Sequence, residues 1–136
     1  MNEFWQKRIL IVAAAWNVFG GTGALLNPAN HFGSLYAGAL SLQDPLQLFF
    51  YRCTWINVIA WGGAYLLAAF LPATRRAVLI AGGAGKLVYF LATVSLYSSG
   101  IGKTGILAAG LVDLCLAVLF AAAAFAPRRA AMGEPA

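Results

Sequence analysis

Four apolar runs, each long enough to cross a lipid bilayer, constrain this chain more than any other feature. A helix needs about 20 mainly apolar residues to span the hydrocarbon core. The runs are Ile9 to Leu26, Leu46 to Leu71, Ala77 to Tyr97 and Thr104 to Ala126. We therefore predict an all-α, four-transmembrane-helix bundle in which residues 1–136 form a single integral-membrane domain.

Composition and helix-breaking residues support these spans. Hydrophobic residues make up 62% of the chain and charged residues only 10%, whereas soluble domains average about 25% charged residues. Breakers stand at the ends of the runs: Asn27-Pro28, Asp44-Pro45, Pro72, Ser98-Ser99-Gly100 and Pro127. The lipid bilayer is therefore the expected surrounding of most of the chain, and membrane lipids are its expected neighbours.

The basic residues predict the orientation of the bundle. Cytoplasmic loops of membrane proteins carry an excess of Lys and Arg. One side of the predicted bundle holds Lys7, Arg8, Arg75, Arg76, Arg128 and Arg129, whereas the other side holds only Lys103. We expect a multi-pass protein of a bacterial cytoplasmic (inner) membrane with both termini in the cytoplasm, N-in and C-in. The charges are dispersed in pairs, so no nucleic-acid partner is expected.

The first loop, from Pro28 to Asp44, is long enough to hold structure of its own. Its apolar positions are Phe32, Leu35, Tyr36, Ala39, Leu40 and Leu42. This spacing predicts a short amphipathic helix lying at the outer interface. Such a helix either covers the bundle as a lid or simply connects the first two spans.

Three ionisable residues, Arg52, Lys86 and Asp113, fall inside the apolar runs. A charge at the bilayer centre costs at least about 2.5 to 3.5 kcal/mol, so such residues normally face the bundle interior and pair. Lys86 precedes the turn near Gly100 by about thirteen residues and Asp113 follows it by about thirteen, so both lie about 20 Å from that turn. The sequence therefore predicts a buried Lys86–Asp113 pair.

Other polar residues complete the predicted charge network. Arg52 either descends toward Asp113 or extends its guanidinium outward to the interface. Asn17 and Asn57 are expected to form hydrogen bonds between helices, and Tyr89 shares a helix face with Lys86. Two interpretations stay open: a structural ion pair that fixes helix order, or a binding site for an anionic headgroup, a quinone or another polar ligand.

Catalytic and metal-binding residues are not evident. His31 is the sole histidine and falls in the first loop, outside the expected bundle. The chain therefore lacks a histidine pair for haem, a His/Glu cluster for two metals, and an arrangement of Ser, His and Asp. No cofactor is predicted, with quinone or lipid as the open alternatives. Several aromatic residues are interpreted as part of an aromatic belt at the interface: Trp5, Tyr36, Tyr51, Trp55, Trp61 and Tyr97.

One pattern resembles a known family. It consists of Tyr65-x-x-Ala68-Ala69-x-x-Pro72-x-x-Arg75-Arg76, then Gly82-x-x-Gly85-Lys86, then Asp113-Leu114 and Phe120. These residues resemble the small four-span bacterial membrane proteins of the DoxX-like group. The resemblance covers about the last half of the chain and implies that Lys86 and Asp113 are the residues to watch. Some members of the group are linked to quinone-coupled sulfur oxidation, but no motif for that activity is present.

These observations lead to one main functional hypothesis and two alternatives. We expect a non-catalytic membrane protein that acts by association, as a homo-oligomer or as an accessory subunit of a larger membrane complex. The alternatives are an oligomeric transporter or channel past Lys86 and Asp113, and a quinone- or lipid-binding redox protein. A tightly packed pair would favour a structural role, and a wet cavity around Asp113 would favour transport. An apolar pocket under the first loop would favour quinone or lipid binding.

Overall fold

The computed structural model describes residues 3–126, and in that range the chain is helical and forms no strands. The helices are α1 (Glu3–Leu26), α2 (Pro28–Leu35), α3 (Pro45–Phe70), α4 (Pro72–Ser98) and α5 (Thr104–Ala124). Helices α1, α3, α4 and α5 are long and apolar enough to cross a membrane, whereas α2 is not. The predicted all-α bundle of four spans is thereby confirmed, and the protein is a multi-pass membrane protein.

Two of the spans begin earlier than the sequence predicted. Helix α1 starts at Glu3, six residues before the apolar run, because nothing in that segment breaks a helix. Helix α4 starts at Pro72, since proline at the first helical position loses no intrahelical hydrogen bond. As a result Arg75 and Arg76 belong to the first turn of α4 instead of a linker. Arg128 and Arg129 lie outside the described residues.

The short helix of the first loop is present, but it is displaced from the predicted stretch. The Asn27 side chain caps it by accepting a hydrogen bond from the Asn30 amide at 3.3 Å, and Pro28 follows the cap. Helix α2 ends at Leu35. The next residue, Tyr36, has an extended backbone and forms an antiparallel bridge with Gly102 in the α4–α5 loop. The prediction that the helix continues to Leu42 is therefore wrong, because pairing between loops replaces the helix there.

The bundle consists of two antiparallel helix pairs, α1 with α3 and α4 with α5, which contact each other much less than the helices within a pair do. Small residues allow the close approach within each pair. Gly62 of α3 lies against the Ala14 carbonyl of α1, where an added Cβ would be 3.2 Å from that oxygen. Gly110 of α5 similarly lies directly against the Thr93 side chain of α4.

One end of the bundle, which we call the basic end, is tightly packed. It carries Lys7 and Arg8 of α1 and Arg75 and Arg76 of α4. Its core joins all four long helices through buried side chains that include Leu10, Ala13, Tyr65, Ala68, Leu79, Leu116 and Phe120. The buried Arg75 donates hydrogen bonds to the carbonyls of Ala68 and Ala69, both at 3.2 Å. These carbonyls belong to the last turn of α3, so Arg75 caps that helix.

The opposite end, which we call the α2 end, carries helix α2 and the α4–α5 loop. The two segments are joined by backbone hydrogen bonds from Lys103 to the Leu35 carbonyl and from Ala37 to the Ile101 carbonyl, both at 2.8 Å. The Lys103 ammonium also donates to the Gly33 carbonyl. Helix α2 is thus fixed across the end of the bundle, over the space between the two helix pairs.

Candidate functional site

The predicted ion pair forms in the middle of the bundle. The Lys86 ammonium of α4 lies 2.6 Å from a carboxylate oxygen, Oδ1, of Asp113 in α5. Both side chains are buried, with 5% and 12% of their surface exposed. The two residues meet because they are nearly equidistant from the turn that joins these antiparallel helices. A charge-assisted hydrogen bond of this length is a strong one.

Asn17 extends the ion pair to the other helix pair. Lys86 donates a second hydrogen bond to Oδ1 of Asn17 in α1 at 3.1 Å. The Asn17 amide nitrogen in turn donates to the Val58 carbonyl of α3 at 3.2 Å. The group of Asn17, Lys86 and Asp113, which we call the polar floor, therefore links all four long helices at one depth.

The polar floor keeps unused hydrogen-bonding capacity. An ammonium has three N–H donors, and Asn17 and Asp113 accept two of them. The second oxygen of Asp113, Oδ2, accepts no hydrogen bond from any residue between 3 and 126. In that range every fully buried side-chain nitrogen or oxygen has a partner, so Oδ2 is open to the space beside it. One donor and one acceptor are thus available, although the pair as a whole has no net charge.

The space beside the polar floor is a cavity of about 680 Å³ between the two helix pairs. Every helix contributes to its wall, which is mainly aromatic and aliphatic. The polar floor lies at one end of it, and α2 covers the other. Residues of the wall include Trp16, Gly20, Phe32, Tyr36, Tyr51, Trp55, Trp61, Tyr65, Gly85, Tyr89 and Val112. This is the size and character of a small-molecule site.

His31 of α2 lines the same cavity. Its position in the first loop had predicted a place outside the bundle. Its Nδ1 lies 3.0 Å from the Tyr51 hydroxyl, and its ring meets the Trp55 ring edge-on with centroids 4.6 Å apart. Burial lowers the pKa of His31 below its ordinary value of 6.5, so the ring is neutral at pH 7. Burial likewise raises the pKa of Tyr36 above 10.0. The α2 end of the cavity is therefore polar but uncharged.

The structure does not bring Arg52 and Asn57 into the polar floor. Both residues are exposed on α3, and neither lines the cavity. The reason is helical phase: they lie about 100° and 120° around the axis from Tyr51. The face of α3 that points inward carries Tyr51, Trp55, Val58 and Tyr65. Arg52 is exposed and therefore does not descend toward Asp113.

The interpretation of Tyr51, Trp55 and Trp61 as belt aromatics is also corrected, because all three line the cavity. The spacing of Tyr51 and Trp55 contained a usable signal. Positions 51, 55, 58, 62 and 65 recur at intervals of three and four, which places them on one helix face, whereas Trp61 lies at its edge. Aromatic and small residues on that face mark an inward surface, whereas belt residues need share no face. Tyr89, predicted from its spacing to Lys86, does line the cavity.

No protein-family model, curated protein or solved structure matches this chain.

Proposed function

We propose that this protein binds a neutral, largely apolar small molecule with a hydrogen-bonding headgroup, of the quinone or neutral-lipid class, and that it does so without catalysis. The observation that carries the proposal is the cavity under α2, whose floor is the Lys86–Asp113 pair. A membrane-embedded cavity of this kind takes its ligand from the surrounding lipid phase.

The charges of the site favour a neutral headgroup. The ammonium of Lys86 is already compensated by Asp113, so it offers a donor without a net positive charge. An anionic headgroup next to it would face the free carboxylate oxygen of Asp113, and like charges repel strongly at low dielectric. A carbonyl can accept from Lys86 and a hydroxyl can donate to Asp113, which fits the oxidised and reduced forms of a quinone as well as a lipid alcohol.

The transport alternative has less support. Below the polar floor the basic end is filled by fully buried side chains such as Leu10, Leu79 and Phe120. In the described part of the chain the lining of the cavity reaches Tyr65 and Gly82 but none of these three core residues. A pathway past Lys86 and Asp113 would require several copies of the protein around a shared axis.

We further propose that the protein lies in a bacterial cytoplasmic membrane with both termini in the cytoplasm. Support comes from Lys7, Arg8, Arg75 and Arg76 at one end of the bundle, compared with Lys103 at the other end and Arg52 two turns into α3. In this orientation α2 and the end of the cavity that it covers lie on the outer side. Fusion of a reporter that is active on one side of the membrane to each terminus tests this placement.

Membership of the DoxX-like group is a proposal as well. It is supported by the fact that Lys86 and Asp113, which that resemblance singles out, are the residues at the floor of the cavity. Association with itself or with a larger membrane complex stays a prediction, since the short loops leave mainly the apolar outer surface for it. Chemical cross-linking in native membranes tests this prediction.

Tryptophan fluorescence tests ligand binding directly. Trp16, Trp55 and Trp61 line the cavity, and a quinone quenches nearby tryptophans. We would titrate the protein in lipid nanodiscs with a short-tailed quinone. Gly85→Leu should fill the cavity, because a Cβ at Gly85 meets no atom within 4 Å. Saturable quenching is expected in the wild type, with an affinity at least about tenfold lower in Gly85→Leu.

Gly63→Leu is the matched control. Gly63 is also helical and also has nothing within 4 Å of an added Cβ, but it does not line the cavity. This variant should bind as the wild type does. Unsaturable quenching, or equal affinity in all three proteins, would contradict the proposed function.

A further inference from the structure

Two groups of hydrogen-bonding side chains lie at the two ends of the cavity, and Tyr89 lines the wall between them. At one end is the polar floor of Asn17, Lys86 and Asp113. At the other end, under α2, are His31 and Tyr51, which we call the upper pair. Between them the wall of α3 and α5 is formed by Trp55, Val58, Ala109 and Val112 among others. A ligand with a single headgroup would satisfy only one of these ends.

The upper pair is built into the fold. Tyr51 is 9% exposed and belongs to the buried cluster with Ala24 and Leu40. His31 is held by its contacts with Tyr51 and Trp55 and by the backbone hydrogen bond from Lys103 to the Leu35 carbonyl, which fixes α2. Since one ring nitrogen faces Tyr51, the other nitrogen, Nε2, is without a partner among residues 3–126. A neutral imidazole can use it as donor or acceptor according to its tautomer.

The separation of the two ends follows from two different helices. Along α3, Tyr51 precedes Val58, whose carbonyl bonds Asn17, by seven residues, which corresponds to about 10 Å. Along α5, Gly105 contacts α2 at the Ser34 carbonyl and precedes Asp113 by eight residues, or about 12 Å. Both helices therefore place the backbone at the level of the floor about 10 to 12 Å along the bundle axis from the backbone at the α2 end.

We propose that the ligand carries a hydrogen-bonding oxygen at each end of a rigid apolar body, with one oxygen held by the polar floor and the other by His31 and Tyr51. This inference rests on the proposed function, because it narrows the ligand class of the same cavity. It separates such molecules from simple lipid alcohols, whose polar atoms lie at one end, and from quinones, whose two carbonyl oxygens lie across a single ring and are closer together than the two ends of the cavity.

The test compares two rigid probes that differ by one hydroxyl. Androstanediol has hydroxyls at opposite ends of its ring system, whereas androstanol has only one. We would measure the binding of each labelled probe to the protein in nanodiscs by equilibrium dialysis, with empty nanodiscs as background. The diol is expected to bind about tenfold more tightly, the gain from one additional hydrogen bond in an apolar site.

Variants of the upper pair show where that gain arises. Tyr51→Phe and His31→Phe, made separately, should each lower the affinity of the diol toward that of androstanol. Tyr97→Phe is the matched control, because Tyr97 is exposed and does not line the cavity. It should keep the full preference. The thermal midpoints of all variants show whether they are folded. Because Tyr51→Phe and His31→Phe are made separately, the test still stands if one of the two variants fails to fold.

The outcomes distinguish this inference from the proposed function. Equal binding of both probes to the wild type, with Gly85→Leu weakening both, would overturn the two-ended ligand and leave the cavity as a binding site. A preference for the diol that survives both Tyr51→Phe and His31→Phe would also overturn it. Binding of neither probe, together with unsaturable quinone quenching, would overturn both proposals.

Discussion

Helix α4 carries two buried cations, Arg75 and Lys86, in opposite surroundings. Arg75 lies at the packed basic end, where its guanidinium donates to two backbone carbonyls and approaches Glu3 at 3.4 Å. Lys86, three turns further along, lies beside the cavity and keeps a free donor next to the free oxygen of Asp113. Arg75 therefore stabilises the fold, whereas Lys86 remains available to bind a ligand.

The packing of the two regions differs in the same way. In lipid, apolar surface alone does little to hold helices together, so close contacts and hydrogen bonds must do it. The basic end has both, in its core of small and aromatic residues and in the cap from Arg75. Toward the α2 end a cavity lies between the helix pairs, and the polar floor and α2 connect the pairs on either side of it.

The largest effect is expected from breaking the ion pair. Lys86→Ala or Asp113→Ala leaves one buried charge without its partner, which should lower the free energy of unfolding by about 3 to 5 kcal/mol. The double variant Lys86→Met with Asp113→Leu removes both charges at similar volume and should recover most of that loss. SDS-induced unfolding in bicelles measures both effects.

The same double variant sharpens the comparison between structure and function. It should fold but should not bind the quinone, because the donor and the acceptor of the polar floor are gone. If it binds as tightly as the wild type, the pair is structural only. Recovery of neither stability nor binding would mean that the bundle depends on the charges themselves.

A smaller loss is expected at the basic end. Arg75→Met removes the cap of α3, and hydrogen bonds to charged groups contribute about 1.5 to 3 kcal/mol. The neighbouring Arg76 is exposed, so Arg76→Met is the matched control and should leave stability unchanged. Quinone affinity should be unaffected in both variants. A loss of affinity in Arg75→Met would show that the two regions are coupled.

Glycine substitutions compare packing within a helix pair with packing at the cavity. Gly110→Ala places a methyl group against Thr93, which is fully buried and whose hydroxyl is bonded to the Phe90 carbonyl at 2.7 Å. Overpacking of this kind costs about 1 to 3 kcal/mol. Gly20→Ala, on the cavity wall, meets no atom within 4 Å and should be neutral or slightly stabilising. The thermal midpoints of Gly110→Ala and Gly20→Ala test these two expectations.

The smallest effect concerns acidification of the α2 end. The pKa of His31 is lowered in the folded state, so the neutral ring contributes stability that is fully present above about pH 6.5. This contribution is lost as the pH falls from that value through the folded-state pKa. The thermal midpoint of the wild type should therefore fall relative to that of His31→Phe between about pH 7.5 and about pH 5. Parallel curves would show that His31 stays solvated like a free histidine.

The sequence predicted the features that depend on local spacing. The four spans follow from run length, and the Lys86–Asp113 contact follows from equal distances to one turn. Asn17 could be predicted as an inward polar residue, but its acceptor role for Lys86 depends on how α1 faces α4, which spacing within one hairpin does not determine.

Features that depend on contacts between distant segments could not be predicted. His31 reaches the cavity because Tyr36 and Leu35 pair with the α4–α5 loop, about 66 residues later in the chain. The exposure of Arg52 depends on which face of α3 packs against α1, and the apolar run alone does not determine that face. The cavity lies between the two helix pairs, so it is a property of the assembled bundle.

Native mass spectrometry of the protein released directly from its membranes tests the central claim most directly. The wild type and Gly63→Leu should each retain a neutral small molecule at one copy per chain, and Gly85→Leu should lack it. The same adducts on all three proteins, or a bare chain in every case, would contradict the assignment of the cavity as a ligand-binding site.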